Sequence, residues 1–60
     1  MRIIKIWHDA SYDDYEVEYF TGKTYKAVRR KTLTKTQKEF IRTHTRVYDR
    51  ERMGHLEYWR

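Results

Sequence analysis

The hydrophobic and polar positions of this chain change period along its length, and each change marks a predicted element. Ile3-Ile4-Lys5-Ile6-Trp7 is a short β-branched and aromatic run, which predicts a strand over residues 1–8. Alternation puts Ile4 and Ile6 on one side and Ile3, Lys5 and Trp7 on the other. A strand apolar on both faces predicts a central or well-covered place in a sheet. Asp9-Ala10-Ser11 reads as a turn, because Asp and Ser side chains compete for backbone hydrogen bonds. Asp14-Tyr15-Glu16-Val17-Glu18-Tyr19 then alternates polar and apolar with period two, as a half-buried strand does. Thr21-Gly22 reverses the chain, and residues 25–30 return as the second arm of a hairpin.

Two registers compete for that hairpin. A two-residue type I′ turn at Thr21-Gly22 sets Tyr15 opposite Val28. A three-residue loop sets Glu18 opposite Lys26, Asp14 opposite Arg30 and Tyr19 opposite Tyr25. Such cross-strand pairs contribute roughly 0.2–1 kcal/mol each, which favours the longer loop. In either register the acidic arm lies beside the basic one, so much of its charge is answered internally.

Beyond Leu33 the period becomes helical. Leu33, Phe40, Ile41, His44, Val47 and Tyr48 share one stripe, and Lys35, Lys38, Arg42, Arg46 and Arg50 occupy the opposite face. Lys38, Arg42, Arg46 and Arg50 repeat every fourth residue. Like charges so spaced each destabilise a helix by about 0.2–0.5 kcal/mol, and Glu39 and Asp49, towards the flanks, relieve little of it. Thr34 with Gln37, or Thr36 with Glu39, supplies a capping box at the start. Gly54 suits a C′ position, with Arg50 and Arg52 in the last turn. These signals predict one long amphipathic helix over residues 34–52. Its weak point is Thr43-His44-Thr45, which has low helix propensity. The alternative ends the helix near His44 and makes Arg46-Val47-Tyr48 a strand; the stripe continuing through Val47 and Tyr48 favours the long helix. Residues 55–59 form a closing strand or docked tail, with Leu56 and Tyr58 on one side and Trp59 on the other. The expected architecture is a single α+β domain over residues 1–60: a small antiparallel sheet of three to four strands, with the long helix packed on one face.

Size and composition sharpen this picture. At 60 residues the chain has room for one small core, and scaffolds of this size need disulfides, a metal, oligomerisation or dense aromatic packing. It has no Cys, so disulfides and thiolate metal sites are excluded, and it uses six Tyr, two Trp and two Phe instead. No apolar run reaches the length of a signal peptide or a membrane span. The absence of Cys fits a reducing compartment, so the expectation is a cytoplasmic protein with no membrane partner. The net charge of +5 is uneven: residues 9–20 hold five acids and no Lys or Arg, whereas residues 21–52 hold eleven bases against three acids. The basic part attracts polyanions.

Catalytic and metal motifs are missing. His8, His44 and His55 have no short ligand spacing. Thr21-Gly22-Lys23-Thr24 imitates the end of a phosphate loop without its upstream Gly. Asp14, Glu16 and Glu18 share a strand face and read as a solvent-facing row paired with cross-strand bases. No catalytic residue, metal ligand or cofactor is therefore assigned, and a small ribonuclease-like activity using His8 or His44 with a nearby Arg ranks a distant third. The first expectation is a non-enzymatic module that engages nucleic acid, DNA or RNA. Lys26, Arg29, Arg30, Lys31, Lys35, Lys38, Arg42, Arg46 and Arg50 would supply charge; Trp7, Tyr15, Tyr19, Tyr25 and Trp59 could supply stacking surfaces where the sheet leaves them uncovered, with Tyr25 and Trp59 taken as the site residues among them. The same basic and aromatic surface suits a protein interface, to a host protein or to a second copy in a homodimer. In size, charge density and lack of motifs the chain resembles small accessory proteins of bacteriophages, many of which bind and inhibit a host enzyme. That likeness assigns no residue a role.

Overall fold

A computed structural model describes residues 2–48 and 56–60. Five strands and one helix follow in the order β1 (Ile3–Asp9), β2 (Asp14–Tyr19), β3 (Thr24–Arg29), a 3-10 turn (Arg30–Thr32), α1 (Lys35–Thr43), β4 (Arg46–Tyr48) and β5 (Leu56–Trp59). The strands form one sheet in the order β3-β2-β1-β5-β4, every pairing antiparallel. The class is α+β, as the patterning predicts. The sheet has five strands rather than three to four, and β1 is its central strand.

The expected 34–52 helix is corrected to a nine-residue one. Its start is the predicted capping box: Thr34 Oγ1 accepts from the Gln37 N–H at 3.1 Å, and Gln37 Oε1 accepts from the Thr34 N–H at 2.9 Å. Its end falls in Thr43-His44-Thr45. Thr43 Oγ1 donates back to the Glu39 carbonyl at 2.8 Å, and the His44 backbone N–H and ring Nδ1 both reach the Phe40 carbonyl, at 3.0 and 2.9 Å. The His44 N–H bond is the last of the helical ladder, and the side-chain bonds of Thr43 and His44 back to carbonyls one turn earlier are of the kind that competes with continuing it. Topology adds a length constraint. The chain leaves the sheet at one edge strand, β3, and must re-enter at the other, β4. Five strands span roughly 19 Å centre to centre; nine helical residues rise about 13 Å and nineteen about 28 Å. The short helix with its flanking loops fits that crossing and the long one overshoots it. Val47 therefore faces Tyr58 across a strand pair instead of extending a helical stripe. Gly54 and the other proposed end signals, Arg50 and Arg52, lie outside the described residues.

The hairpin settles on a third register. The Tyr19 N–H donates to the Lys23 carbonyl at 2.9 Å, closing a loop over Phe20, Thr21 and Gly22, with Gly22 at φ +88. Val17 then pairs with Tyr25 and Glu18 with Thr24. The predicted Glu18–Lys26, Asp14–Arg30 and Tyr19–Tyr25 pairings are replaced. A β-bulge beyond Val17 sets Glu16 against both Lys26 and Ala27, and restores Tyr15 opposite Val28 and Asp14 opposite Arg29. Ala27 carries the bulge at φ +56, a left-handed conformation that costs a non-glycine residue about 1–2 kcal/mol.

The core gathers Ile3, Ile6, Tyr15, Val17, Leu33, Phe40 and Trp59 on the sheet face that α1 covers. Ile6 and Val17 are fully buried, and each such burial stabilises by roughly 1.5–3 kcal/mol. An irregularity between Ile3 and Lys5 lets Ile3 join Ile6 in this core and leaves Ile4 exposed, reversing the simple alternation. Gln37 Nε2 donates to the Tyr19 hydroxyl at 3.1 Å and ties α1 to β2. Trp7 lies on the other face with Tyr58, their ring centroids 4.3 Å apart, and Lys5 sits over both rings at 5.6 Å. No helix among the described residues is long and apolar enough to cross a membrane.

Candidate functional site

The predicted cations divide into two groups, according to whether the fold supplies a carboxylate. At the corner where β3 runs into the 3-10 turn, Arg29 and Arg30 meet Asp14, which opens β2, and Asp13, which precedes it. Arg30 donates to Asp13 through Nε at 3.3 Å and Nη2 at 2.9 Å. Arg29 Nη1 lies 3.1 Å from Asp14 Oδ1, close enough for charge attraction but not aligned as a hydrogen bond. Asp13 also receives His8 Nε2 at 3.1 Å, and an ionised carboxylate only accepts, so Nε2 is the protonated nitrogen there. The His8 ring stacks on Tyr15, centroids 4.5 Å apart. The Arg30 guanidinium, seconded by His8, holds the Asp13 carboxyl below the ordinary carboxylate range, and Asp13 in turn pushes Arg30 up. Asp13 adopts φ +53, which Asp tolerates better than most residues.

Arg42 and Arg46 are answered as well. Arg42 forms a two-pronged pair with Glu39 one turn back, which lowers the Glu39 carboxyl and raises Arg42. Glu39 therefore relieves the basic face more than its flanking position in the sequence suggests. Arg46 is not on the helix: it belongs to β4, where Nε lies 3.4 Å from Glu57 and the guanidinium sits 5.4 Å above Trp59. The four-residue ladder is thereby broken, with Arg46 at the far edge of the sheet and Arg50 outside the described residues.

The lysines differ. Lys31 on the 3-10 turn and Lys35 and Lys38 on α1 are all exposed, and among the described residues none has a carboxylate within ion-pair distance. Together they form an unneutralised flank running from the corner along the first turns of the helix. Lys26 is exposed on the edge strand β3, apart from them. The acids Asp14, Glu16 and Glu18 alternate with the buried Tyr15 and Val17, so they occupy the sheet face opposite α1. There Asp9, Asp14 and Glu16 border an open cleft of about 220 Å³ with Trp7 and Leu56. No cluster of three potential metal ligands occurs among the described residues.

The two predicted stacking residues separate. Trp59 is 5 % exposed and belongs to the core, so it offers no open platform. Tyr25 is partly exposed and meets Tyr19 edge to face at 5.6 Å. Two strongly exposed aromatics carry no signal in the sequence: Phe20, 72 % exposed, and Tyr12, 71 % exposed in the turn before β2. With Asp13, Arg29, Arg30 and Lys31, Tyr12 lines a recess of about 290 Å³. The Asp13-Asp14 and Arg29-Arg30 dipeptides, at matching ends of two paired arms, were the signal for this corner.

Comparison with known proteins yields no match to a family model, a curated protein or a solved structure.

Proposed function

We propose that the protein is a non-enzymatic nucleic-acid-binding module that engages phosphate through the Lys31, Lys35 and Lys38 flank. The observation that carries this reading is the contrast in neutralisation: Arg29, Arg30, Arg42 and Arg46 each sit against a carboxylate, and among the described residues these three exposed lysines do not. A cation already paired with an acid adds little to the long-range field, whereas an unpaired one attracts polyanions and releases their counterions on contact. The acids on the opposite sheet face repel phosphate, so the polarity of the molecule favours one orientation on the strand. Anisotropy of labelled DNA and RNA oligonucleotides, with protein titrated in at low salt, tests the reading. Micromolar or tighter binding that weakens at physiological salt is expected; no binding to any of them at low salt would refute it.

A second reading rests on Phe20, which is 72 % exposed at the tip of the β2–β3 hairpin with the partly exposed Tyr25 nearby. Exposed aromatics rimmed by bases suit a protein partner, of the kind a small inhibitor or adaptor captures. Loss of partner capture on Phe20→Ser, with nucleic-acid binding absent in the parent protein, would favour this reading over the first.

A further inference from the structure

We propose that the recess of Tyr12, Arg29, Arg30 and Lys31 seats one unpaired nucleotide, which makes the protein selective for single strands over duplex; this rests on the nucleic-acid reading above. Three features meet here. The first is Tyr12, an open aromatic ring on a braced turn: the Ser11 N–H donates to Asp9 Oδ1 at 3.0 Å and the Tyr12 N–H donates to the Asp9 carbonyl at 3.3 Å. A single exposed tyrosine is ordinary by itself. Its setting on the wall of a recess of about 290 Å³ that also holds three cations is not.

The second is the way the arginines are held. Asp13 takes the Nε and Nη2 of Arg30 and leaves Nη1 open; Asp14 draws one terminal nitrogen of Arg29 and leaves the rest of that guanidinium open. Both side chains remain more than half exposed. They are thus oriented before a ligand arrives, which lowers the ordering cost of binding one. The third is the state of Asp13 itself. Its carboxylate is engaged by Arg30 and His8, so its charge is spent within the cluster and opposes an incoming phosphate less than a free carboxylate would.

The chemistry that fits these features is a planar base on the Tyr12 ring, with its phosphate between Arg29 and Lys31. A base can reach that ring only when it has left its own stack, and that requirement discriminates against duplex. The unneutralised lysines of α1 continue from Lys31, so neighbouring phosphates of the same strand have a path to follow.

The test is anisotropy at low salt, with a short labelled oligothymidylate and a labelled duplex of equal length, for the parent protein, Tyr12→Ala and Tyr12→Phe. Circular dichroism establishes that the variants are folded. The parent should prefer the single strand, Tyr12→Ala should lose about fivefold or more in single-strand affinity with duplex binding unchanged, and Tyr12→Phe should retain the preference. Equal single-strand affinity for Tyr12→Ala and the parent, or an equal loss on both probes, would overturn the site while leaving the nucleic-acid reading in place. If the parent binds neither probe, both proposals fall.

Discussion

Two basic regions lie side by side in this molecule and the fold treats them differently. At the corner, Arg29 and Arg30 are matched to Asp14 and Asp13 across the β2–β3 hairpin. Along the adjoining flank, Lys31, Lys35 and Lys38 meet no described carboxylate. In the sequence the two belong to one run of bases. The lesson is that net charge tells what a surface attracts on average, whereas pairing decides which cations act at a distance and which are held in place. On the proposed reading, the flank would supply the salt-sensitive, sequence-blind part of binding, and the corner its geometry and the preference between strand types.

The sharpest way to break this comparison is to neutralise one cation from each region. Lys38→Gln should weaken binding about three- to tenfold and flatten the salt dependence by roughly one phosphate contact. Arg30→Gln should leave the salt dependence nearly as it was, because Asp13 already answers its charge. Equal changes in the two variants, measured by anisotropy over a salt series, would erase the distinction.

The next prediction converts a paired arginine to an unpaired one. Glu39→Gln removes the charge that answers Arg42 and extends the unneutralised row to four cations, so affinity should rise about twofold. Unchanged or lower affinity would mean that position on the flank, rather than pairing, sets the contribution.

Asp13→Asn sharpens the corner half of the comparison and carries a defined sign. The Asp13 carboxyl is lowered first by the hydrogen bonds from Arg30 and then by that from His8. A carboxyl depressed by folding contributes stability that is present above its unfolded pKa and is lost as pH falls through the folded value. The parent should therefore be the more stable protein at neutral pH, and the difference should vanish in acid below the carboxylate range. Asn also tolerates positive φ, so the substitution removes charge with little backbone strain. Thermal melts over a pH series measure this; a difference that persists in acid would contradict the assignment.

The smallest effect concerns the scaffold that aligns the corner. Ala27 holds the bulge at φ +56. Glycine there relieves the left-handed cost and gives back part of it as greater freedom of the unfolded chain. Ala27→Gly should thus stabilise by about 0.5–1 kcal/mol, with binding unchanged. A loss of stability in urea melts would show that the methyl group does more than tolerate its conformation.

What could be read from the sequence follows from the range of each interaction. Period-two alternation announced β2, the apolar run announced a central β1, and the helix start was narrowed to two capping boxes, of which Thr34 with Gln37 is the one formed, because these signals are local. The helix end was not resolved, since Leu33, Phe40, Val47 and Tyr48 fit a helical stripe as well as a helix followed by a strand. The low helix propensity of Thr43-His44-Thr45 points to the second, and the need to cross from β3 to β4 decides it. The bulge at Ala27 carries no composition signal, as an alanine rarely adopts positive φ. The candidate site was half legible: the Arg29-Arg30-Lys31 corner and the helix lysines stand out in the sequence, but the burial of Trp59 depends on which sheet face α1 covers, and the exposure of Tyr12 on the turn that carries it. The contact of His8 with Asp13, five residues on, depends on a turn that sequence neighbours do not reveal.

The measurement that tests the central claim most directly is the salt dependence of oligothymidylate binding for the parent protein and the charge reversal Lys35→Glu with Lys38→Glu. If Lys31, Lys35 and Lys38 each neutralise one phosphate, the parent should give a slope of log K against log salt of roughly −2. The reversal should abolish most of the affinity and flatten that slope while leaving the fold intact by circular dichroism. A parent protein that does not bind at low salt, or a folded reversal variant that keeps the parent's affinity and slope, would contradict the account.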